Sequence, residues 1–266
     1  MIDIHNHLQD PRLAPYREEV IREMKAAGLT RCVVNGTSPA DWPEVAELAL
    51  RHPDFITPAF GLHPWKTSPP PSSWERELRS FLADFPHAHL GECGLDRWME
   101  SPDIDTQKAL FRRQLELAHE LARPVAIHCL KAWGPLLDVL RDVPLPERSL
   151  LHSYGGSLEF ARQLRQFGDP WFSFSGYFLH ERKSERVEVF RHLPPERLLA
   201  ESDAPDMAPP EKYRNVRLQL GNSSEASPLN HPANFPLITS SFLEKLGTGL
   251  SESSLRANAR CFLQTV

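Results

Sequence analysis

Residues 88–128 read AHLGECGLDRWMESPDIDTQKALFRRQLELAHELARPVAIH. The segment opens on one short apolar run, 88–91, and closes on another, 124–128. Between them Leu110, Phe111, Leu115, Leu117, Ala118 and Leu121 recur at helical spacing with charges interleaved, which predicts an amphipathic helix over 104–122. Asp103 or Asp105 is placed to cap its first turn. Strand, helix and strand in this order form the repeating unit of a parallel α/β fold.

The same alternation runs outward in both directions. Strands are predicted at 2–4, 31–35, 55–60, 88–91, 124–128, 149–152, 171–175 and 197–201. Helices are predicted at 15–27, 39–51, 72–85, 104–122, 132–141, 157–167, 183–192 and 232–246, with a final one near 251–263. Gly28 stands where the first helix should stop. Eight such alternations without a long interruption predict a (β/α)8 TIM barrel, one domain over 1–266, and the 266 residues match the roughly 250 typical of that fold. The 25 prolines cluster at turns such as 69–71, 144–146, 194–195 and 205–210, as rigid connections between short elements. The stretch 204–231 is the least regular, and in a barrel it would be a loop over the active face.

A composition of 41% hydrophobic and 24% charged residues is that of an ordinary globular chain. The formal net charge of −5 supplies no basic footprint for nonspecific nucleic-acid binding, although metal ions can supply positive charge where a phosphate sits. Cys32, Cys93, Cys129 and Cys261 form no C-x-x-C pair. The first residues carry no leader pattern, and no apolar run reaches membrane-spanning length. A cytoplasmic protein with free thiols, without a membrane and without an obligatory protein partner, is expected.

His5-Asn6-His7 closes the first predicted strand. Residues i and i+2 of an extended chain point the same way, so the two imidazoles can converge on one ion. The same reading of other strand ends finds Glu92 after strand 4, His128 ending strand 5, His152 ending strand 6 and Asp203 just past strand 8. A barrel gathers all strand C-termini on one rim. Imidazoles with carboxylates suit Zn, Mn or Fe, and the carboxylates also admit Mg. Six donors exceed the needs of one tetrahedral ion, so two divalent ions are expected, with Glu92 able to bridge them and Asp203 placed to deprotonate a water. Any one of these residues, taken alone, reads equally well as a structural histidine or a solvated acid.

The motifs also resemble a known family. Ile2-Asp3-Ile4-His5-Asn6-His7 resembles the D-x-H-x-H opening of the TatD-type metal-dependent deoxyribonucleases, which are amidohydrolase-like barrels. Gly61-Leu62-His63-Pro64, Gly91-Glu92-Cys93-Gly94-Leu95-Asp96, the helix with Gln107, Phe111 and Gln114-Leu115, Pro124–His128, His152–Ser157, Ser173–Gly176 and Glu201–Pro205 follow in family order. The resemblance covers essentially the whole chain. It implies phosphodiester hydrolysis, often of DNA, with two divalent ions (Zn, Mg or Mn). His5, His7, Glu92 and Asp203 would hold one ion, and Glu92, His128 and His152 the other. Glu92 and Asp203 would be catalytic, with His63 near the substrate phosphate.

Two segments depart from the family pattern. Cys129-Leu130-Lys131-Ala132 stands where the family has a Ser-Arg-Asp-Ala-like run. Lys131 then replaces an arginine at the substrate without its planar fork, or is a solvated residue at a helix start. Asn230-His231-Pro232 stands where Asn-Glu-Pro is usual. Both changes touch the expected substrate side and leave the ligands intact. Trp65, Trp98 and Trp133 follow His63, Asp96 and His128; packing is expected for at least two of them, and base stacking is the other reading. Arg97 is expected to pair with Asp96, and Cys93 and Cys129 to be small buried residues. Two other functions stay open: an amidohydrolase-like enzyme for a small phosphoester, amide or lactone, and an inactive metal-binding protein.

Overall fold

The computed structural model describes residues 1–67, 69, 70, 72–218 and 229–264. Pro71 and the 219–228 part of the predicted 204–231 loop lie outside the described residues. Among the described residues, strands β1 (Ile2–Asn6), β2 (Arg31–Asn35), β3 (Ile56–Phe60), β4 (His89–Asp96), β5 (Val125–Leu130), β6 (Ser149–Leu151), β7 (Trp171–Phe174) and β8 (Leu198–Ala200) form one sheet in chain order. Helices α1 (Arg17–Ala26), α2 (Trp42–Arg51), α3 (Trp74–Asp84), α4 (Ile104–Glu120), α5 (Trp133–Asp142), α6 (Leu158–Leu164), α7 (Ser184–Arg191) and α8 (Phe235–Leu246) follow the strands in turn, and α9 (Glu252–Leu263) is the last described element. The pairs from β3 to β7 are parallel. This is the predicted (β/α)8 barrel.

The chain divides into two compact units, Val33–Ser173 and Met1–Cys32 with Phe174–Val266. In the first, Trp42, Phe60, Phe81 and Phe85 build an aromatic core, with Phe60 and Phe81 centroids 5.0 Å apart. Helix α4 buries Phe111, Leu115, Leu117 and Ala118 as its spacing predicts, while Leu110 and Leu121 are half-buried. Asp103 caps it by accepting the Thr106 N–H. Two polar residues share its buried face, Gln107 and Gln114, two helical turns apart. The Gln107 amide accepts from Asp96 N at 2.8 Å and donates to Asp96 O at 3.1 Å. Gln114 makes the same two bonds to Leu62 N and O, at 2.8 and 3.1 Å.

Strand β4 runs five residues beyond its predicted end at Gly91. Glycine weakens strands, yet β4 continues through Gly91 and Gly94. The pairing continues through a bulge: Leu90 faces Val125 and Cys93 faces Ile127, so β4 spends one residue more than β5 over the same span. Gly94, with φ +139°, approaches β5 so closely that a Cβ would lie 2.0 Å from the His128 carbonyl oxygen. Glu92 sits in this bulge and His128 is paired with Gly94.

In the second unit β1 lies beside β8. Asp203 N donates to His5 O at 3.0 Å and His7 N to Ala204 O at 2.7 Å, so the backbone itself ties the first and last strand ends together. Behind them Phe174 stacks on Phe242 with centroids 3.7 Å apart, and Phe190 packs edge-on against both. His231 is buried here. Its Nδ1 accepts from Ala233 N at 3.1 Å, and its Nε2 lies 2.8 Å from Glu23 on α1. The departure at 230–232 is thus absorbed as a local cap and a contact with Glu23.

Candidate metal centre

In the unit Val33–Ser173, the bulge of β4 presents the carboxylate of Glu92, and the ends of β5 and β6 and the turn after β3 present three imidazoles to it. Glu92 Oε1 lies 2.8 Å from His152 Nε2, 3.0 Å from His128 Nδ1 and 3.3 Å from His63 Nε2. The His128 Nδ1 and His152 Nε2 atoms are 3.1 Å apart. Glu92, His63 and His152 are buried, and His128 nearly so. His63, Glu92 and His128 alone already offer three ligand atoms within 4.8 Å of one another.

Two ring nitrogens at this separation cannot both carry a proton toward each other. Without those protons, the two rings could turn their lone pairs to one point beside a carboxylate oxygen, as a cation site requires. Nitrogens that share an ion at about 2.0–2.1 Å stand roughly 2.8–3.4 Å apart in octahedral or tetrahedral geometry. The residues present therefore fit a divalent ion.

Electrostatics agree. Burial pushes the Glu92 carboxyl up, but the neighbouring His152 and His63 charges and hydrogen bonds from His128 and His152 outweigh it and hold Glu92 well below the usual carboxylate range. Burial pulls the His128 imidazole down, and its bonds to Asp96 and Glu92 raise it on balance. The carboxylate stays ionised and available as a ligand.

Asp96 is the residue that sequence reasoning did not select. It is fully buried at the end of β4, and its Oδ2 lies 3.0 Å from His128 Nε2. The same oxygen accepts Trp65 Nε1 at 2.8 Å, and Oδ1 accepts the Trp98 backbone N–H at 2.6 Å. Burial raises its carboxyl, but His128, Trp98 and Trp65 together lower it. The expected Arg97–Asp96 pair is replaced by this network, because the Asp96 carboxylate faces His128 and the two tryptophans.

In the unit Met1–Cys32 with Phe174–Val266, a second trio converges. His5 Nε2 and His7 Nε2 are 3.3 Å apart, and Asp203 Oδ1 lies 3.8 and 3.6 Å from them. His5 is fully buried and Asp203 buried. Asp203 has φ +54°, in the left-handed region that non-glycine residues rarely occupy, which holds its carboxylate at the strand end. Behind the trio Asp3 accepts Ser202 Oγ at 2.6 Å, Ser202 N at 2.8 Å and Asn6 Nδ2 at 3.0 Å, locking β1 to the turn after β8. Complete burial pushes Asp3 up to about 7 despite these bonds.

The structure thus brings His63, Glu92, His128 and His152 together in one unit, and His5, His7 and Asp203 in the other. Lys131 stands exposed after β5 with φ +55°. Cys93 is buried with its thiol toward Ala126 O, as expected of a residue facing away from the ligands. The tryptophan expectation is corrected. Trp133 packs on Tyr154 and Phe160, but Trp65 and Trp98 are 56% and 66% exposed. The short turn after His63 and the turn after β4 carry them outward.

Comparison with known proteins agrees with this fold and chemistry. A family model described as TatD related DNase matches residues 2–252. A 3'-5' ssDNA/RNA exonuclease TatD of Erwinia tasmaniensis is 31% identical over 215 residues, covering 79% of this chain and 81% of the relative. A TatD homolog of Escherichia coli K12 superposes with a TM-score of 0.85 at 24% identity, covering 100% of this chain and 98% of that one. A TatD family hydrolase of Entamoeba histolytica gives 0.83 at 18% identity, covering 98% and 97%. The two structures establish the barrel. The chain belongs to the TatD-related DNase family and is a hydrolase of that family.

Proposed function

From that membership and the chemistry of the two clusters, we propose that the protein is a divalent-metal-dependent nuclease that removes nucleotides from the 3′ end of single-stranded DNA or RNA. Strand preference and polarity come from the Erwinia tasmaniensis relative, whose name states them. The observation that carries the proposal is the convergence of His63, His128 and His152 on one oxygen of Glu92.

We assign two divalent ions, Zn, Mn or Mg. Glu92, His128 and His152 would hold one, and His5, His7 and Asp203 the other. Bound there, the ions would polarise the phosphodiester and ease deprotonation of water. The chain's own residues do the rest. Asp203 takes the proton as the water oxygen forms its bond to phosphorus, and the bond to the sugar oxygen breaks as that oxygen takes up a proton, from Asp203 or solvent, and leaves as the hydroxyl. His63 donates to a phosphate oxygen, and Lys131 adds a point charge for the backbone in place of an arginine fork. The four cysteines are free thiols, which suits a cytoplasmic setting. No helix among the described residues is long and apolar enough to cross a membrane.

The test is a metal panel on single-stranded oligonucleotides labelled at either end. Stepwise shortening from the 3′ end is expected, abolished by chelator, with His128→Ala and Asp203→Asn each lowering kcat by about 100-fold or more. Full activity in the His128→Ala protein would sink the assigned site. Faster turnover of a small lactone or amide than of any nucleic acid would move the protein to the amidohydrolase-like alternative.

A further inference from the structure

Among the described residues the exposed large apolar side chains are Leu50, Trp65 and Trp98. The two tryptophans are anchored on the two oxygens of one carboxylate. Trp65 donates its indole N–H to Asp96 Oδ2, and Trp98 donates its backbone N–H to Oδ1. That carboxylate also meets His128 Nε2. Trp65 is tied to the cluster a second time, because its backbone N–H donates to His63 Nδ1 at 3.1 Å, and His63 reaches Glu92 through its other nitrogen.

We propose that Trp65 and Trp98 are a base-stacking platform, which takes the bases of a single-stranded nucleic acid next to the candidate metal centre. This rests on the nuclease reading above. The Trp65 indole is pinned by its N–H yet more than half exposed, so little side-chain freedom is lost when a flat ligand stacks on it. Trp65 meets His63 edge-on, with ring centroids 5.2 Å apart and planes at 87°. The Lys131 ammonium lies over one face of the Trp98 ring, 5.7 Å from its centroid, which leaves the other face for a base and keeps a cation close to the strand's phosphates.

The occupant follows from chemistry. An enzyme that removes one nucleotide after another must accept every base in turn. Stacking does this, because every base has a π-face. It also supplies affinity to a chain with a net charge of −5 and no arginine at the expected position after β5. Trp133, packed on Phe160 with centroids 5.8 Å apart, is excluded from the platform.

The metal-loaded enzyme is assayed at steady state on an oligothymidylate and on an oligomer of equal length whose terminal bases are abasic. Stacking of one base predicts a KM about 5- to 100-fold lower for the intact oligomer. Trp98→Ala is expected to erase most of that difference by raising KM on oligothymidylate and not on the abasic oligomer. Trp98→Phe restores it, and Trp65→Phe, which keeps a ring but loses the tether to Asp96, gives an intermediate value. Equal KM changes on both substrates, or none, would overturn the platform and leave the nuclease standing. A wild-type enzyme that cleaves neither oligomer would overturn both.

Discussion

Asp96 joins three kinds of chemistry in one buried side chain. It faces His128 Nε2, pins the Trp65 indole and holds the backbone of Trp98. A carboxylate on the outer nitrogen of a ligand histidine fixes the tautomer and leaves the other nitrogen free to coordinate. Asp96→Asn is therefore expected to weaken divalent-metal affinity by about 10- to 100-fold, read by calorimetric titration. An unchanged affinity would confine Asp96 to holding the tryptophans. The sequence did contain a signal for it. Asp96 is four residues after Glu92, hence on the same side of an extended strand. Ending the predicted strand at Gly91 concealed that relation, since bulges and close strand approach are tertiary features.

His89, at the start of β4, carries a second prediction at this scale. Burial lowers its imidazole to about 3, with Arg148 and Arg123 acting in the same direction. The unfolded chain takes up the proton near the ordinary value of 6.5, so stability is lost as pH falls from there toward the folded value. The loss is roughly 1.4 kcal/mol per pH unit in that window. His89→Leu should remove this slope in urea denaturation at pH 6, 5 and 4. Parallel slopes in the two proteins would assign the acid sensitivity to other groups.

At the level of elements, α4 does more than cover the sheet. Its apolar spacing was legible at once, yet the residues that matter for the site are Gln107 and Gln114, which each grip both backbone groups of one residue. Leu62 precedes His63, and Asp96 faces His128, so the helix sets the position of both. Gln114→Ala leaves the buried Leu62 N–H and carbonyl without these partners and should cost about 1–3 kcal/mol in urea denaturation. A change below about 0.5 kcal/mol would mean that the Leu62 backbone is satisfied otherwise. The elements themselves were predicted to within a few residues, β4 excepted. Hydrophobic periodicity is local, whereas a buried glutamine is polar and falls outside any apolar pattern.

At the level of the whole molecule, resident ions should act as ligands of the folded state alone. A site held at a hundred times its Kd adds about 2.7 kcal/mol. For a chain of this size, chelation should lower Tm by on the order of 5–10 °C per site, measured by calorimetry. His5→Ala should remove part of that shift and half of the bound metal. An identical Tm with and without chelator would count against resident ions.

The sequence by itself determined the alternation of strands and helices, the barrel it implies, the family and the types of donor at the strand ends. These are carried by short-range periodicity and by motifs in order along the chain. Only the tertiary structure decided which atoms meet. It brought three imidazoles to one oxygen of Glu92 and set His5 and His7 beside Asp203. It buried Asp96 against His128 and turned two tryptophans outward where packing was expected. Those outcomes depend on a bulge, on the close approach that Gly94 permits and on turns that aim side chains after the strands end. They arise from contacts between residues distant in sequence, which spacing along the chain does not encode.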